Sequence, residues 1–289
     1  MSLRFSIVTP VLNGMPSLRG CVGSVRRQTC ADWEHLIEDG GSGDGTVDWL
    51  KSQPGLNWRS SPDAGMYDAI NRGWKRSSGD ILSWLNSDEQ YLPAALETVR
   101  EEFERRPDAD AIYGDYLLVK PDGTPTAARR EIPLRKWYAV NGALYVQSCA
   151  LFVRRRVFEQ FGGFDTSFKI IGDKEWVLRL LSRGVRFCHV SHYLGIFCLT
   201  GRNLSLRPDA MAESQRVFRM YGAHRLYLLR RTARAARCIE KALRGCYGRQ
   251  TVSFRFTKDE SGAGIDITGT VGTRWIWHAE AGERPFIPG

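Results

Sequence analysis

The chain has 289 residues, 43% of them hydrophobic, and a formal charge of +9, enough to bury a full α/β core as one large domain or as a domain with an appendage. No apolar run reaches the roughly 18 to 20 residues of a membrane span, and Met1-Ser2-Leu3-Arg4 leads into a strand without a signal-peptide pattern, so a soluble, cytoplasmic protein is expected. Seven scattered cysteines without a Cys-x-x-Cys pair argue against a disulfide framework or structural zinc, and residues 223–249 hold eight Lys or Arg against Glu240, +7 of the +9, so the nearly neutral remainder is not expected to bind nucleic acid.

Residues 4–13 read as a buried strand ending near Pro10, with Asn13-Gly14 beyond it, and residues 16–27 as a helix with Leu18, Cys21, Val22 and Val25 at helical spacing. A second strand, residues 33–39, ends in acids and opens into Gly40-Gly41-Ser42-Gly43-Asp44-Gly45-Thr46. These glycines follow the second strand and lack the G-x-G-x-x-G spacing, so they predict a tight turn, not a dinucleotide fingerprint. A helix over 46–51, a strand over 57–60 and a helix over 66–76 follow. This alternation predicts a parallel sheet of nucleotide-binding type. Asp39, ending the second strand, can accept hydrogen bonds from a ribose hydroxyl or a base N–H.

Ile81-Leu82-Ser83-Trp84-Leu85 then reads as a buried strand emptying into Asn86-Ser87-Asp88-Glu89. Ligands gather outside the carboxyl ends of strands in open α/β sheets, where Asp88 can hold a divalent cation against a diphosphate. The alternative is that Ser87 or Asp88 merely caps a helix over 93–106.

Farther on, residues 111–119 and 148–153 predict strands, and the aperiodic stretch 129–147 suits an acceptor-side loop or crossover. Gly172-Asp173 resembles the N-cap of a helix turning Trp176, Val177, Leu180 and Leu181 inward. His189 and His192 belong to the end of a strand over 185–190, where a hydrogen-bonded structural role is commoner than ligation. Thr200-Gly201-Arg202-Asn203 is a polar loop that can order over a diphosphate, with Arg202 as its cation, or form a plain surface turn. Arg230, Arg234, Arg237, Lys241 and Arg244 lie along one side of an amphipathic helix whose other side carries Leu228, Ala235, Ile239, Leu243 and Cys246. Such a helix either lies on an anionic membrane face or packs on the main domain with its arginines solvated. Within residues 250–289, the stretches 251–256 and 264–271 alternate as exposed strands do and suggest a β-rich appendage or a contact between subunits.

Phe5-Ser6-Ile7-Val8-Thr9-Pro10-Val11-Leu12-Asn13, Glu38-Asp39-Gly40-Gly41-Ser42-Gly43-Asp44-Gly45-Thr46, Pro62-Asp63-Ala64-Gly65-Met66-Tyr67-Asp68-Ala69-Ile70-Asn71 and Leu85-Asn86-Ser87-Asp88 together resemble the family 2 glycosyltransferases of the GT-A fold, over residues 4–205. The resemblance implies a Rossmann-like, mostly parallel sheet flanked by helices over residues 1–220; the basic helix (221–249) and the β-rich tail (250–289), read from their own patterns, follow it. It implies that Thr9, Pro10, Asn13 and Asp39 line the nucleotide pocket, that Asp68 and Asn71 close over the donor, and that Asp88 ligates Mg2+ or Mn2+ on the donor diphosphate; Ser87 and Arg202 are further candidates for the donor site. Asn86 stands where the family's D-x-D motif has its first acid, and an amide oxygen is a weaker ligand than a carboxylate. Asp173 matches the catalytic base; Glu175, two residues on, is the competing acid.

The expected function is an inverting, non-processive transfer from a nucleoside diphosphate sugar, UDP first among them, to a glycan or lipid-linked hydroxyl in cell-surface polysaccharide synthesis, such as lipopolysaccharide or exopolysaccharide. Homodimer formation and peripheral attachment to the anionic inner membrane stay open. The alternatives are a sugar-phosphate nucleotidyltransferase, although residues 11–16 are not a Gly- and Arg-rich loop, and a non-catalytic nucleotide- or membrane-binding subunit.

Overall fold

Strand β1 (Phe5–Val11) is buried along its whole length, as a strand must be when parallel neighbours flank it and helices cover both faces. The computed structural model describes residues 3–15, 17–142, 144–201, 203–204, 209–222 and 227–273. After helix α1 (Ser17–Arg26), β2 (Trp33–Asp39) pairs parallel with β1. Helix α2 (Thr46–Lys51) leads to β3 (Asn57–Ser60), parallel to β2. Helix α3 (Met66–Arg76) returns the chain to β4 (Ile81–Trp84), parallel to β1 on its other side. The four carboxyl ends therefore meet along one edge of the sheet.

The chain continues through β5 (Gln90–Tyr91), α4 (Ala95–Arg105), β6 (Ala111–Val119), β7 (Pro125–Arg129), α5 (Lys136–Asn141), β8 (Leu151–Arg154), α6 (Arg155–Phe161), α7 (Gly172–Ser182) and β9 (Phe187–Cys198). Then come α8 (Asp209–Met220), α9 (Tyr227–Leu243), β10 (Arg249–Thr257) and β11 (Gly264–Gly272). The order β10-β11-β7-β6-β8-β4-β1-β2-β3 makes one mixed sheet, with β9 pairing β5 and β6 off this path. Antiparallel β8 joins the parallel half at β4 to β6.

Strand β9 is far longer than the strand expected over 185–190. It runs parallel to β6 from Phe187 to Cys198 with register shifts around Asp115, and such irregularities break the alternation a sequence reading depends on. The aperiodic stretch 129–147 contains helix α5, whose six residues are too few to display a helical period.

Trp74 of α3, Trp84 of β4, Trp176 of α7 and Phe164 share one core. Trp74 stacks on Phe164 at 5.2 Å and meets Trp176 at 5.3 Å. The indole N–H groups donate to Ser83 O at 3.1 Å and Gly162 O at 3.0 Å, so both buried donors are satisfied. This cluster fixes α7 relative to the end of β4.

The last two described strands extend the same sheet. Gln90 closes on the Thr257 backbone, accepting from its N–H at 2.9 Å and donating to its carbonyl at 2.7 Å. Gly23 of α1 lies so close that a Cβ there would stand 1.9 Å from Asp259 O. The alternation expected of this segment is present, but Val252, Phe254 and Phe256 face the core beside β6 and β9.

Helix α9 reverses the expected orientation. Part of its basic side is turned inward, with Arg234 left exposed: Arg237 and Lys241 reach the buried Glu131 carboxylate at 3.1 and 2.9 Å, where Arg129 also pairs at 3.0 Å. Arg244 pairs with Glu240, which also receives Arg135 and the Tyr138 hydroxyl. Leu228, Ile239 and Leu243 are instead 72%, 60% and 83% exposed. Unpaired charge in a protein interior is far costlier than exposed leucine, and Glu131 supplies the partner that lets this basic face dock. Among the described residues no helix is long and apolar enough to cross a membrane.

Candidate active site

The loops after β1, β2 and β3 are tied together by side chains the sequence singled out. Asn13, with φ of 53°, donates its N–H to Ser42 Oγ at 2.7 Å and accepts from Gly43 N at 2.9 Å. Asp44 accepts from Met15 N at 3.0 Å. Asp39 is only 2% exposed. Its Oδ2 accepts from Gly41 N at 3.0 Å, Ser42 N at 3.1 Å and Ser60 Oγ at 2.6 Å, and its Oδ1 from Ser42 Oγ. Asp39 thus shapes the glycine loop, and its oxygens are engaged by that loop in this conformation.

Thr9 and Pro10 lie in buried β1. The Thr9 hydroxyl is turned inward, 2.8 Å from His35 Nε2 and 3.6 Å from Cys21 Sγ. Burial pushes the His35 imidazole down to about 3, so this pair is neutral and structural. In this conformation the Thr9 hydroxyl is engaged by His35 and Cys21.

Asp68 and Asn71 also serve the scaffold. Asp68 accepts from Ala64 N at 3.0 Å and pairs with Arg72 at 2.7 Å, fastening the loop before α3. The Asn71 amide makes two 2.9 Å bonds with the Phe164 backbone, accepting from its N–H and donating to its carbonyl. In this conformation the Asn71 amide faces the Phe164 turn.

At the end of β4 the situation differs. Among the described residues Asn86 Oδ1 is buried without a hydrogen-bond partner, and burial raises the Asp88 carboxyl above its ordinary range. Ser87 lies between them, its Oγ 3.1 Å from where a Cβ on Gly14 would be. Helix α4 begins at Ala95, too far along for Ser87 or Asp88 to cap it. The turn is closed by Glu89, a residue the sequence reading assigned no role: Glu89 N donates to Asn86 O at 2.9 Å, its Oε2 accepts from Asn86 N at 3.0 Å, and its Oε1 accepts from Ser148 Oγ. Burial, reinforced by the Asp88 charge, pushes the Glu89 carboxyl up to about 8. Its place in the Asn-Ser-Asp-Glu cluster was the available signal.

An unsatisfied amide oxygen and a carboxylate two residues apart suit a hard divalent cation, which prefers oxygen donors. No group of three or more His, Cys, Asp or Glu among the described residues could hold a metal, so a cation here would complete its shell from water and a ligand's oxygens.

Asp173 sits in the first turn of α7, whose N-cap is Ile171. It is therefore a helical residue, correcting the expected cap. The segment leading into the helix is held from α8, where the Glu213 carboxylate accepts from the N–H groups of Lys169, Ile170 and Ile171 at 2.6, 3.0 and 3.0 Å. No local pattern marks Glu213, forty residues downstream. The buried Tyr67 hydroxyl lies 2.9 Å from Ile170 O and 3.2 Å from Asp173 Oδ1, and Gly172 lets its ring approach, since a Cβ there would stand 2.7 Å from it. Burial raises the Asp173 carboxyl, while hydrogen bonds from Lys174 N and Tyr67 pull it partly back. Glu175 faces elsewhere, paired with Arg179 at 3.1 Å.

His189 is engaged by Asp115 at 2.8 Å, the structural role expected, and His192 is exposed. Arg202 lies outside the described residues. A hollow lined by Arg26, Trp33, Glu34 and Asn57 opens where β2 begins, away from these acids.

Residues 6–167 match the family described as glycosyl transferase family 2. An uncharacterized glycosyltransferase of Mycobacterium tuberculosis is 35% identical over 182 residues, 60% of this chain and 67% of that protein. A PGL/p-HBAD biosynthesis glycosyltransferase of Mycobacterium bovis is 29% identical over 198 residues, 64% and 74% of the two chains. In fold, the chain resembles S. aureus TarS 1-349 in complex with UDP-GlcNAc (TM-score 0.62, 16% identity), covering 76% of this chain and 66% of that one. It also resembles the mannosyltransferase PcManGT from Pyrobaculum calidifontis in complex with GDP-Man and Mn2+ (TM-score 0.54, 15% identity), covering 84% and 76%. These likenesses support the mixed α/β architecture, with its parallel half flanked by helices.

Proposed function

The chain belongs to glycosyl transferase family 2, and from that premise we propose that it transfers one sugar, with inversion, from a nucleoside diphosphate sugar to a hydroxyl of a glycan or lipid-linked acceptor in cell-surface polysaccharide synthesis. Asp88 and the Asn86 amide oxygen would hold Mg2+ or Mn2+, which would supply positive charge to offset that of the departing diphosphate. Asp173 accepts the proton of the acceptor hydroxyl as its oxygen bonds to the anomeric carbon. The bond from that carbon to the phosphate oxygen breaks, and its electron pair leaves with the diphosphate. Tyr67 and Glu213 orient Asp173, and Asp39 and Asn13 shape the loops that receive the nucleotide. UDP is the first nucleotide to test, because the TarS structure is a complex with UDP-GlcNAc.

The observation that carries this reading is the Asn86 oxygen, buried and unpartnered two residues from Asp88: an interior acceptor without a donor costs on the order of 1–3 kcal/mol unless something binds it. The test is a thermal-shift panel of UDP, GDP, dTDP and CDP with Mn2+, Mg2+ or EDTA. One nucleotide should stabilise the protein only with metal, by about 2.7 kcal/mol at a hundred times its Kd, and Asp88→Ala should abolish the gain. Asp173→Asn should keep that binding and lose turnover. Stabilisation by no nucleotide under any condition would remove the basis of the proposal.

A further inference from the structure

Helix α9 is an amphipathic helix docked by its charged side, which leaves its apolar side facing out. Leu228, Ile239 and Leu243 are 72%, 60% and 83% exposed, and their spacing along Tyr227–Leu243 places them in one stripe with Ala235 and Ala242, both also exposed. Seventeen helical residues extend this stripe over about 25 Å. Contiguous exposed apolar surface of this kind marks an interaction site.

The charges select the partner. The one acid of the helix, Glu240, faces inward with Arg135 and Arg244, so the outward side carries no carboxylate. Arg234 is exposed on the same helix. Helix α5, which packs against α9, adds an exposed Lys136 and a Trp137 that is 42% exposed; tryptophan favours the boundary between lipid and water. An exposed apolar helix face, with an exposed arginine on the same helix and an exposed lysine and indole on the helix packed against it, is complementary to the surface of an anionic bilayer, where apolar burial and attraction to lipid headgroups act together. We infer that the outward face of α9 seats the protein on an anionic lipid surface. This does not rest on the nucleotide-site reading.

The experiment is co-sedimentation of the full chain with phosphatidylglycerol–phosphatidylcholine vesicles and with phosphatidylcholine alone, using the parent, Ile239→Glu/Leu243→Glu, Arg234→Glu, and Ile265→Glu as a control at an exposed apolar site in β11. The parent should partition onto the anionic vesicles and little onto neutral ones. The double variant should bind about tenfold less or worse, Arg234→Glu should bind less, and Ile265→Glu should match the parent. All the substituted positions are at the surface, so unchanged circular dichroism and melting temperature are expected. Because Arg234→Glu leaves the stripe intact, it keeps the inference testable even if the double variant misfolds. Failure of the parent to bind anionic vesicles, or full binding by either α9 variant, overturns the inference. So does a concentration-dependent dimer that the double variant dissolves, which would assign the face to a second copy. The nucleotide thermal shift is read in parallel, and its success or failure is independent of these outcomes.

Discussion

Tyr67 of α3 and Asp173 of α7 meet through a buried phenol whose oxygen stands 3.2 Å from Asp173 Oδ1 and 2.9 Å from Ile170 O. One hydroxyl therefore lies between the proposed base and the backbone two residues before its helix. Removing it in Tyr67→Phe withdraws a hydrogen bond that favours the carboxylate, so the Asp173 pKa, already raised by burial, should rise further. The acidic limb of the rate profile should then move to higher pH, with KM for the donor little changed. Asp173→Asn removes a charge that burial disfavours. Sign follows from linkage: the folded pKa lies above the unfolded value of about 3.9, so the parent loses stability as pH rises through this interval. The variant should melt higher than the parent at neutral pH, and the gap should close toward pH ~4. An unchanged profile in Tyr67→Phe would remove Tyr67 from the mechanism.

Glu89 should make the stability of the protein depend on pH. With its carboxyl near 8 when folded and about 4.3 when unfolded, the folded state holds a proton that the unfolded chain releases between these values. Stability should fall by up to about 1.4 kcal/mol per pH unit over that window. Urea unfolding in EDTA from pH 5 to 8 should show this slope, and Glu89→Gln should flatten it. Equal slopes in the two proteins would contradict the assignment.

Restoring an acid at the first ligand position should trade stability for metal affinity. Asn86→Asp places a third carboxyl beside Asp88 and Glu89, whose own pKa is raised partly by the Asp88 charge. The metal-free variant should be less stable by on the order of 1 kcal/mol, while Mn2+ in the presence of nucleotide should bind more tightly. Differential scanning fluorimetry with graded Mn2+ separates the two effects.

The docking of α9 should depend on Glu131. Burial works to raise this carboxyl, but Arg237, Lys241 and Arg129 outweigh it and hold it below the ordinary glutamate range. The stability it contributes is present above the unfolded value of about 4.3 and is lost as pH falls through the lower folded value. Glu131→Ala leaves three cations without their shared partner and should cost about 3–5 kcal/mol, with α9 becoming the first segment cleaved by trypsin. Wild-type protease resistance along α9 would refute this.

The first ninety residues were legible because their signals are local. Apolar runs such as Ile81-Leu82 and Val8 bounded by glycine turns, and helical spacing at Leu18, Cys21 and Val22, depend only on neighbours in the chain, and β1 to β4 appear where these patterns end. The same locality marked Asn86, Asp88 and Asp173, since polar residues that close a buried strand or open a helix stand out against apolar surroundings. What the sequence could not contain was the identity of their partners. Thr9 and Asn71 are polar residues at suggestive positions, but His35 and the Phe164 backbone engage them. Glu213 holds the loop before α7 from forty residues away. The amphipathic period of α9 fixed two unlike faces without saying which would be covered. That was decided by Glu131, a buried carboxylate on a distant loop, because an interior acid must be paired with cations whereas leucines can remain at the surface.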